Sequence, residues 1–191
     1  MAIIPVYGVE QGGNCTRIYY SSGDVVCDSR KTGTVLKNIA HYFGADLTVL
    51  RRNFGKKFNC KLFCPVPFSK NHLYVPIKVR SPLIKKDGAT GYFKLSAFEG
   101  LQILTPGLAD QPEKCNILLS GKHCITSHLL PTKIEKRINL ANSIQEHYCL
   151  MHDQFSFSLK QKDLAKNKSA KIVKIKKGLY FKLVTDDEED D

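Results

Sequence analysis

The stretch LYVPIKV at residues 73–79 decides the fold class of this 191-residue chain. Its aliphatic side chains occupy every second position, which is typical of a β-strand. Pro76 lies within the stretch and cannot donate a backbone hydrogen bond. We therefore expect this strand to lie at a sheet edge or at a bulge.

Further strands are predicted on both sides of that stretch. Residues 16–20 and 25–27 flank a Ser-Ser-Gly-Asp turn, and residues 117–119 and 124–127 flank a Ser-Gly-Lys-His turn, so each pair predicts a hairpin. Two more strands are predicted at residues 3–9 and 91–95.

Two segments have the apolar spacing of helices. The first runs from Leu36 to Phe43, with Thr32 or Thr34 as the predicted N-cap and Gly44 at its end. The second covers about residues 133–149 and starts with a predicted capping box. The box residues are Thr132 and Glu135. The apolar stripe consists of Ile134, Ile138, Ala141, Ile144 and Tyr148. Together these elements predict an α+β fold, with a strand-rich core, two main helices and a basic C-terminal extension.

The composition changes after Phe157. Residues 158–185 carry nine Lys and one Asp, and residues 186–191 are all acidic. We therefore predict a folded domain over residues 1–157 and an extension over residues 158–191. Within the extension, residues 172–175 and 179–184 could pair as a basic hairpin.

The formal net charge of +11 at pH 7 predicts a polyanionic partner, because excess like charge opposes compaction and fold stability does not require it. Nucleic acid is the commonest such partner, and the absence of an RNA-binding signature with paired aromatics favours double-stranded DNA. An RNA-binding or ribosome-associated protein is the alternative, and charge alone does not separate the two. Residues 1–10 contain no Lys or Arg, and no apolar run is long enough to span a bilayer, so we expect a cytoplasmic protein without a membrane partner.

The densest basic stretch, residues 51–61, is predicted to be a loop that contacts phosphates. Phe54 and Phe58 lie within it, and we expect both rings to point into the core. The predicted DNA-binding residues are Arg51, Arg52, Lys56, Lys57, Lys61, Lys78 and Arg80.

Neither a metal site nor catalysis is predicted. The seven cysteines contain no C-x-x-C pair, so reduced thiols, mostly in the core, are favoured over zinc ligands. There is no nucleophile elbow, P-loop or dinucleotide fingerprint, so we expect no enzyme activity, no catalytic residue and no cofactor. An enzyme with a cysteine nucleophile is the remaining alternative.

The order of weak features along residues 3–157 carries a family resemblance. These features are a helix ending in Tyr42-Phe43-Gly44, the basic stretch, Cys64-Pro65-Val66-Pro67-Phe68, Leu73-Tyr74-Val75-Pro76, Gly91-Tyr92-Phe93, Leu118-Leu119-Ser120-Gly121-Lys122 and the 133–149 helix. In this order they resemble the ComK-type competence transcription regulators.

The resemblance implies a function. Regulators of this type activate DNA-uptake genes and bind paired A/T-rich boxes as homo-oligomers, largely through the minor groove. It also implies a homodimer or higher assembly, for which the 133–149 helix is a candidate interface. A proteolytic adaptor is a further implied partner, and Gln154-Phe155-Ser156-Phe157 is the loose match to its binding segment.

The basic extension and its acidic end should tune affinity without changing sequence preference. Deleting residues 186–191 should raise duplex affinity, most at low salt, because the six acids compete with phosphates for the neighbouring lysines. Deleting residues 158–191 should lower affinity for A/T and G/C duplexes by similar factors. Fluorescence anisotropy on both duplexes measures this, and a folded truncated chain that loses its A/T preference would place base recognition in the extension.

Overall fold

The computed structural model describes residues 1–8, 13–82, 88–104, 114–166, 170–175 and 178–183, and it confirms an α+β fold. The residues group into two compact units, 1–148 and 149–191. The described elements are β1 Ala2–Gly8, β2 Gly13–Tyr19, β3 Val25–Asp28, α1 Thr32–Tyr42, α2 Leu47–Lys57, β4 Val66–Ser69, β5 His72–Lys78, β6 Thr90–Lys94, β7 Phe98–Leu104, β8 Lys114–Leu119, β9 His123–Ser127, α3 Pro131–Lys166, β10 Ala170–Ile175 and β11 Gly178–Leu183.

A six-stranded antiparallel sheet in the order β3-β2-β1-β6-β5-β4 forms the centre of the first unit. Successive side chains of its central strands enter two different apolar clusters. Phe93 packs with Leu73, Val75 and Ile77 in one cluster, whereas its neighbour Tyr92 belongs to the other. The alternation of side chains in a strand sends neighbouring residues to opposite faces, and since both clusters are buried, the sheet is covered on both faces.

The cluster that contains Phe93 also includes residues from a three-stranded antiparallel sheet, β7-β8-β9, and from α3. Ile117 of β8 and Ile134 of α3 are fully buried there. The two predicted hairpins, β2-β3 and β8-β9, are both confirmed.

Helix α1 covers the other face, where Val35, Leu36 and Ala40 pack against strand residues. The prediction of a threonine N-cap is wrong. Lys31 occupies the cap without a side-chain hydrogen bond, and the Thr32 hydroxyl is instead 3.1 Å from that of Thr16. Gly44 follows the helix with φ of 65°, a left-handed conformation that glycine adopts without strain, so the predicted helix end is confirmed.

The predicted basic loop is wrong for most of its length, because residues 51–57 belong to helix α2. The Asp46 carboxylate caps this helix and accepts hydrogen bonds from the backbone N–H groups of Thr48 and Val49, at 2.7 and 2.9 Å. Phe54 is buried, and Phe58 packs at the edge of the same cluster, so the predicted core positions of both rings are confirmed.

Helix α3 begins at Pro131, so Thr132 lies inside the helix and the predicted capping box is wrong. Proline is well suited to the first helical position, because its fixed φ matches the helix and its missing N–H has no intrahelical acceptor there. The predicted apolar stripe is confirmed as core, since Ile134, Ala141 and Ile144 are fully buried. Ile138 and Tyr148 of the stripe are half-buried and pack against the same cluster.

Pro76 lies in β5, an interior strand, where its missing backbone N–H is tolerated because of how β5 pairs at this point. The pairing of β4 with β5 extends only from His72 to Tyr74, so beyond Tyr74 the strand pairs with β6 alone. Pro76 is therefore at a local edge, as its chemistry requires.

The second unit, residues 149–191, contains the later part of α3 and the antiparallel pair of β10 and β11, which confirms the predicted basic hairpin. Residue 157, where the composition changes, falls within α3.

The two helical glycines are expected to respond in opposite directions to alanine. A Cβ at Gly55 in α2 would lie 2.9 Å from the carbonyl oxygen of Cys60, whereas a Cβ at Gly33 in α1 would meet nothing within 4 Å. Gly55→Ala should lower the free energy of unfolding by about 1–3 kcal/mol, because backbone must move. Gly33→Ala should raise it by up to about 1 kcal/mol. Urea unfolding followed by circular dichroism measures both, and equal effects would contradict the close approach at Gly55.

Candidate nucleic-acid interface

Helix α2 carries four exposed cations around one buried aromatic ring. Phe54 is buried and Leu50 is half-buried, while the side chains of Arg51, Arg52, Lys56 and Lys57 are exposed. Arg52 and Lys56 are four residues apart and therefore lie one above the other, on the side away from Phe54. Among the described residues, none of these four cations has an ion-pair partner. We call these four residues and Lys61 the basic face.

The ends of α2 are electrostatically matched to the helix dipole. Backbone hydrogen bonds from Val49 and Thr48 hold the pKa of the Asp46 carboxyl below its usual value at the N-terminus. Lys56 and Lys57 lie in the last turn, near the partial negative charge of the C-terminus. The helix can therefore carry clustered cations without losing its stability.

Arg51 differs from the other cations because it is anchored. Its guanidinium donates a hydrogen bond of 2.8 Å to the Tyr92 hydroxyl, and its Cζ lies 5.9 Å from the centroid of that ring. Burial raises the pKa of Tyr92, and the positive charge of Arg51 opposes part of that rise. Arg51 thus links α2 to β6, which fixes the helix on the sheet.

Lys61 follows α2 and is exposed, in a segment that forms part of a small pocket. The pocket has a volume of about 270 Å³ and is lined by Arg51, Cys60, Lys61, Leu62, Phe63, Cys64, Pro76 and Tyr92. Leu62 is 76% exposed beside it. Arg137 of α3 lies over the Phe63 ring at 5.0 Å and donates a 2.8 Å hydrogen bond to the carbonyl oxygen of Pro76. Burial lowers the pKa of Arg137.

Lys78 and Arg80 lie at the end of β5 and beyond it. The Lys78 side chain is exposed. Arg80 is half-buried and held in place, because it donates hydrogen bonds to Asn14 Oδ1 at 2.6 Å and to the carbonyl oxygen of Gly88 at 2.7 Å, and it lies 4.2 Å from the Tyr7 ring centroid. Arg80, just after β5, is thereby joined to Asn14 of β2 and Tyr7 of β1.

Two cations that the sequence did not single out share a groove with Arg80. Lys31 and Lys37 line this groove of about 520 Å³ at the start of α1, and Tyr92 lines it as well as the Arg51 pocket. Lys31 directly precedes a predicted helix, but nothing in the sequence places it near Arg80, since that proximity depends on the sheet order.

Among the described residues, no group of three or more His, Cys, Asp or Glu side chains is arranged to hold a metal ion. Within the same residues, no helix combines the length and apolar character needed to cross a membrane. Comparisons with protein-family models, with curated proteins and with solved structures found no match for the chain.

The contact between Arg51 and Tyr92 predicts a specific change in titration. Arg51→Ala should raise the pKa of Tyr92 further, because the cation that favours the tyrosinate is removed while burial stays. Since that folded-state pKa already exceeds the ordinary value of about 10, the stability from Tyr92 is lost as pH rises above about 10. Tyrosinate absorbance, taken as a difference from Tyr92→Phe, measures the shift. Arg52→Ala is the matched control, and equal shifts in both variants would contradict a direct contact.

Proposed function

We propose that this chain is a DNA-binding activator of competence (DNA-uptake) genes, of the ComK type, and that it acts without catalysis. The basic face of α2 is the observation that carries the proposal. Five cations lie between residues 51 and 61, and no acidic residue occurs between residues 47 and 61. On α2 itself the four cations are exposed and have no described ion-pair partner.

Phosphate binding explains a surface that is unfavourable in the free protein. Arg52 and Lys56 are like charges four residues apart on one helix, an arrangement that destabilises a helix by about 0.2–0.5 kcal/mol. A polyanion removes this repulsion and gains entropy from the release of its counterions. Affinity that arises this way should fall steeply as salt rises.

The proposed targets are A/T-rich boxes. Their minor grooves are narrow and strongly negative, so they attract arginine and lysine side chains. Together with the family resemblance, this chemistry supports minor-groove and phosphate contacts by the basic face. Paired boxes require two copies of the chain, so we propose a homodimer or higher assembly on DNA in the cytoplasm, joined through a surface other than the buried stripe of α3.

Binding to three nucleic acids at two salt concentrations tests this function. The proposal predicts tightest binding to a duplex with two A/T boxes, weaker binding to a G/C duplex of equal length, and weaker binding again to structured RNA. Preference for RNA would favour an RNA-binding or ribosome-associated protein. Equal affinity for all three would leave a general polyanion binder and would contradict the proposal.

The basic face should contribute more to binding than an equal loss of charge elsewhere. Arg52→Ala combined with Lys56→Ala should weaken duplex binding and reduce the slope of log affinity against log salt by about 1–2, as expected for two lost phosphate contacts. The matched control is Lys133→Ala with Lys136→Ala, which removes the same charge from exposed positions of α3. Anisotropy titrations measure both, and equal losses would remove α2 from the interface.

A further inference from the structure

Two cysteines lie close together beside the basic face, and the proposed function does not use them. Cys60 and Cys64 both line the pocket that Arg51 and Lys61 share. The chain bends between them at Leu62 and Phe63, where Phe63 adopts a left-handed φ of 57°, and Asn59 just before Cys60 is also left-handed, with φ of 49°. Non-glycine residues rarely adopt this conformation, so the turn is strongly specified by its surroundings.

The position of Cys60 is fixed from both sides. Its backbone N–H donates a hydrogen bond of 2.8 Å to the carbonyl oxygen of Gly55, which ties it to α2. Its thiol lies 3.2 Å from the carbonyl oxygen of Leu62. The sulfur is therefore directed back across the turn that leads to Cys64.

The two thiols differ in exposure. Cys64 is buried, and its pKa is raised to about 12 by burial first and then by the charge of the neighbouring Cys60 and a hydrogen bond with it. Cys60 is half-buried at the pocket wall. A small oxidant that enters the pocket therefore meets Cys60 first.

We propose that Cys60 and Cys64 form a redox-sensitive dithiol, which a hydroperoxide converts to an intramolecular disulfide across the turn of residues 61–63. The thiol of Cys60 gives up its proton and its sulfur attacks one peroxide oxygen, the O–O bond breaks, and the departing hydroxide takes up that proton and leaves as water, which gives a sulfenic acid. The sulfur of Cys64 then attacks that of Cys60, the S–O bond breaks, and the second water carries away the proton of Cys64. The two thiols lose two electrons in total, and hydrogen peroxide is reduced to two waters.

The disulfide has a consequence for the basic face, and this part rests on the proposed function. Lys61 lies inside the ring that the disulfide closes, and Arg51 lines the same pocket. Closing the ring replaces the contact of the Cys60 thiol with Leu62 and restricts the backbone at Lys61. The redox state of the pair thereby adjusts the phosphate contacts made next to α2.

Tryptic mapping of the full chain tests the disulfide directly. Cleavage after Lys57, Lys61 and Lys70 separates Cys60 and Cys64 onto peptides 58–61 and 62–70. After treatment with hydrogen peroxide and alkylation of free thiols, we expect these peptides to be joined and lighter by two hydrogens than their sum. Cys60→Ser should abolish the joined pair while the protein stays folded by circular dichroism.

The exposed cysteines Cys27 and Cys124 are internal controls in the same digest. The inference is overturned if these two are oxidised while Cys60 and Cys64 remain alkylated, or if Cys60 and Cys64 carry separate adducts or pair with other cysteines. Duplex binding is measured on the same samples. A mapped disulfide in a protein that binds no duplex in either redox state would contradict the proposed function and leave the dithiol standing.

Discussion

Burial of the central sheet on both faces is the constraint on which the rest of the first unit depends. Neighbouring residues of β6, Tyr92 and Phe93, belong to different apolar clusters, so helix α1 must cover one face while α3 and the second sheet cover the other. With both faces covered by apolar residues, the cations of α2 and of the segment after it are exposed, and cations line two pockets.

Arginine and lysine have different roles among these cations. Arg51, Arg80 and Arg137 each lie over an aromatic ring and each donate a hydrogen bond to a fixed acceptor. A planar guanidinium suits such sites, because it can stack and donate at once. The lysines of the basic face have no described fixed acceptor. The three arginines thus hold elements together, whereas Arg52 and the lysines of the basic face are exposed and make no such contact among the described residues.

The sequence predicts the strands and turns that have a local, periodic pattern. It does not predict features that depend on contacts between residues far apart in the chain. Alternation at residues 73–79 and the turns of the two hairpins are local signals, and the structure confirms them. Helix α2 was missed because its apolar face is short and its charges suggest a loop, although Asp46 before Leu47 was a cap signal that could have found it. The density of Lys and Arg along the sequence was enough to select the candidate basic residues. The sequence could not show which of them are anchored, because the rings of Tyr92 and Tyr7 come from distant strands.

The clustered cations of α2, which the proposed binding uses, lower the stability of the helix itself. Clustered cations repel one another, and a basic helix of 11 residues is too short to be stable alone. Three features of this chain offset that cost: the Asp46 cap, the two lysines near the negative end of the dipole, and the burial of Phe54 against Tyr148 of α3. The cap and the buried ring leave the outer side of the helix free, while Lys56 on that side also favours the negative end of the dipole. The chain therefore carries the like charges of Arg52 and Lys56 on an exposed side and obtains most of the stability of α2 from its N-terminus and its buried side.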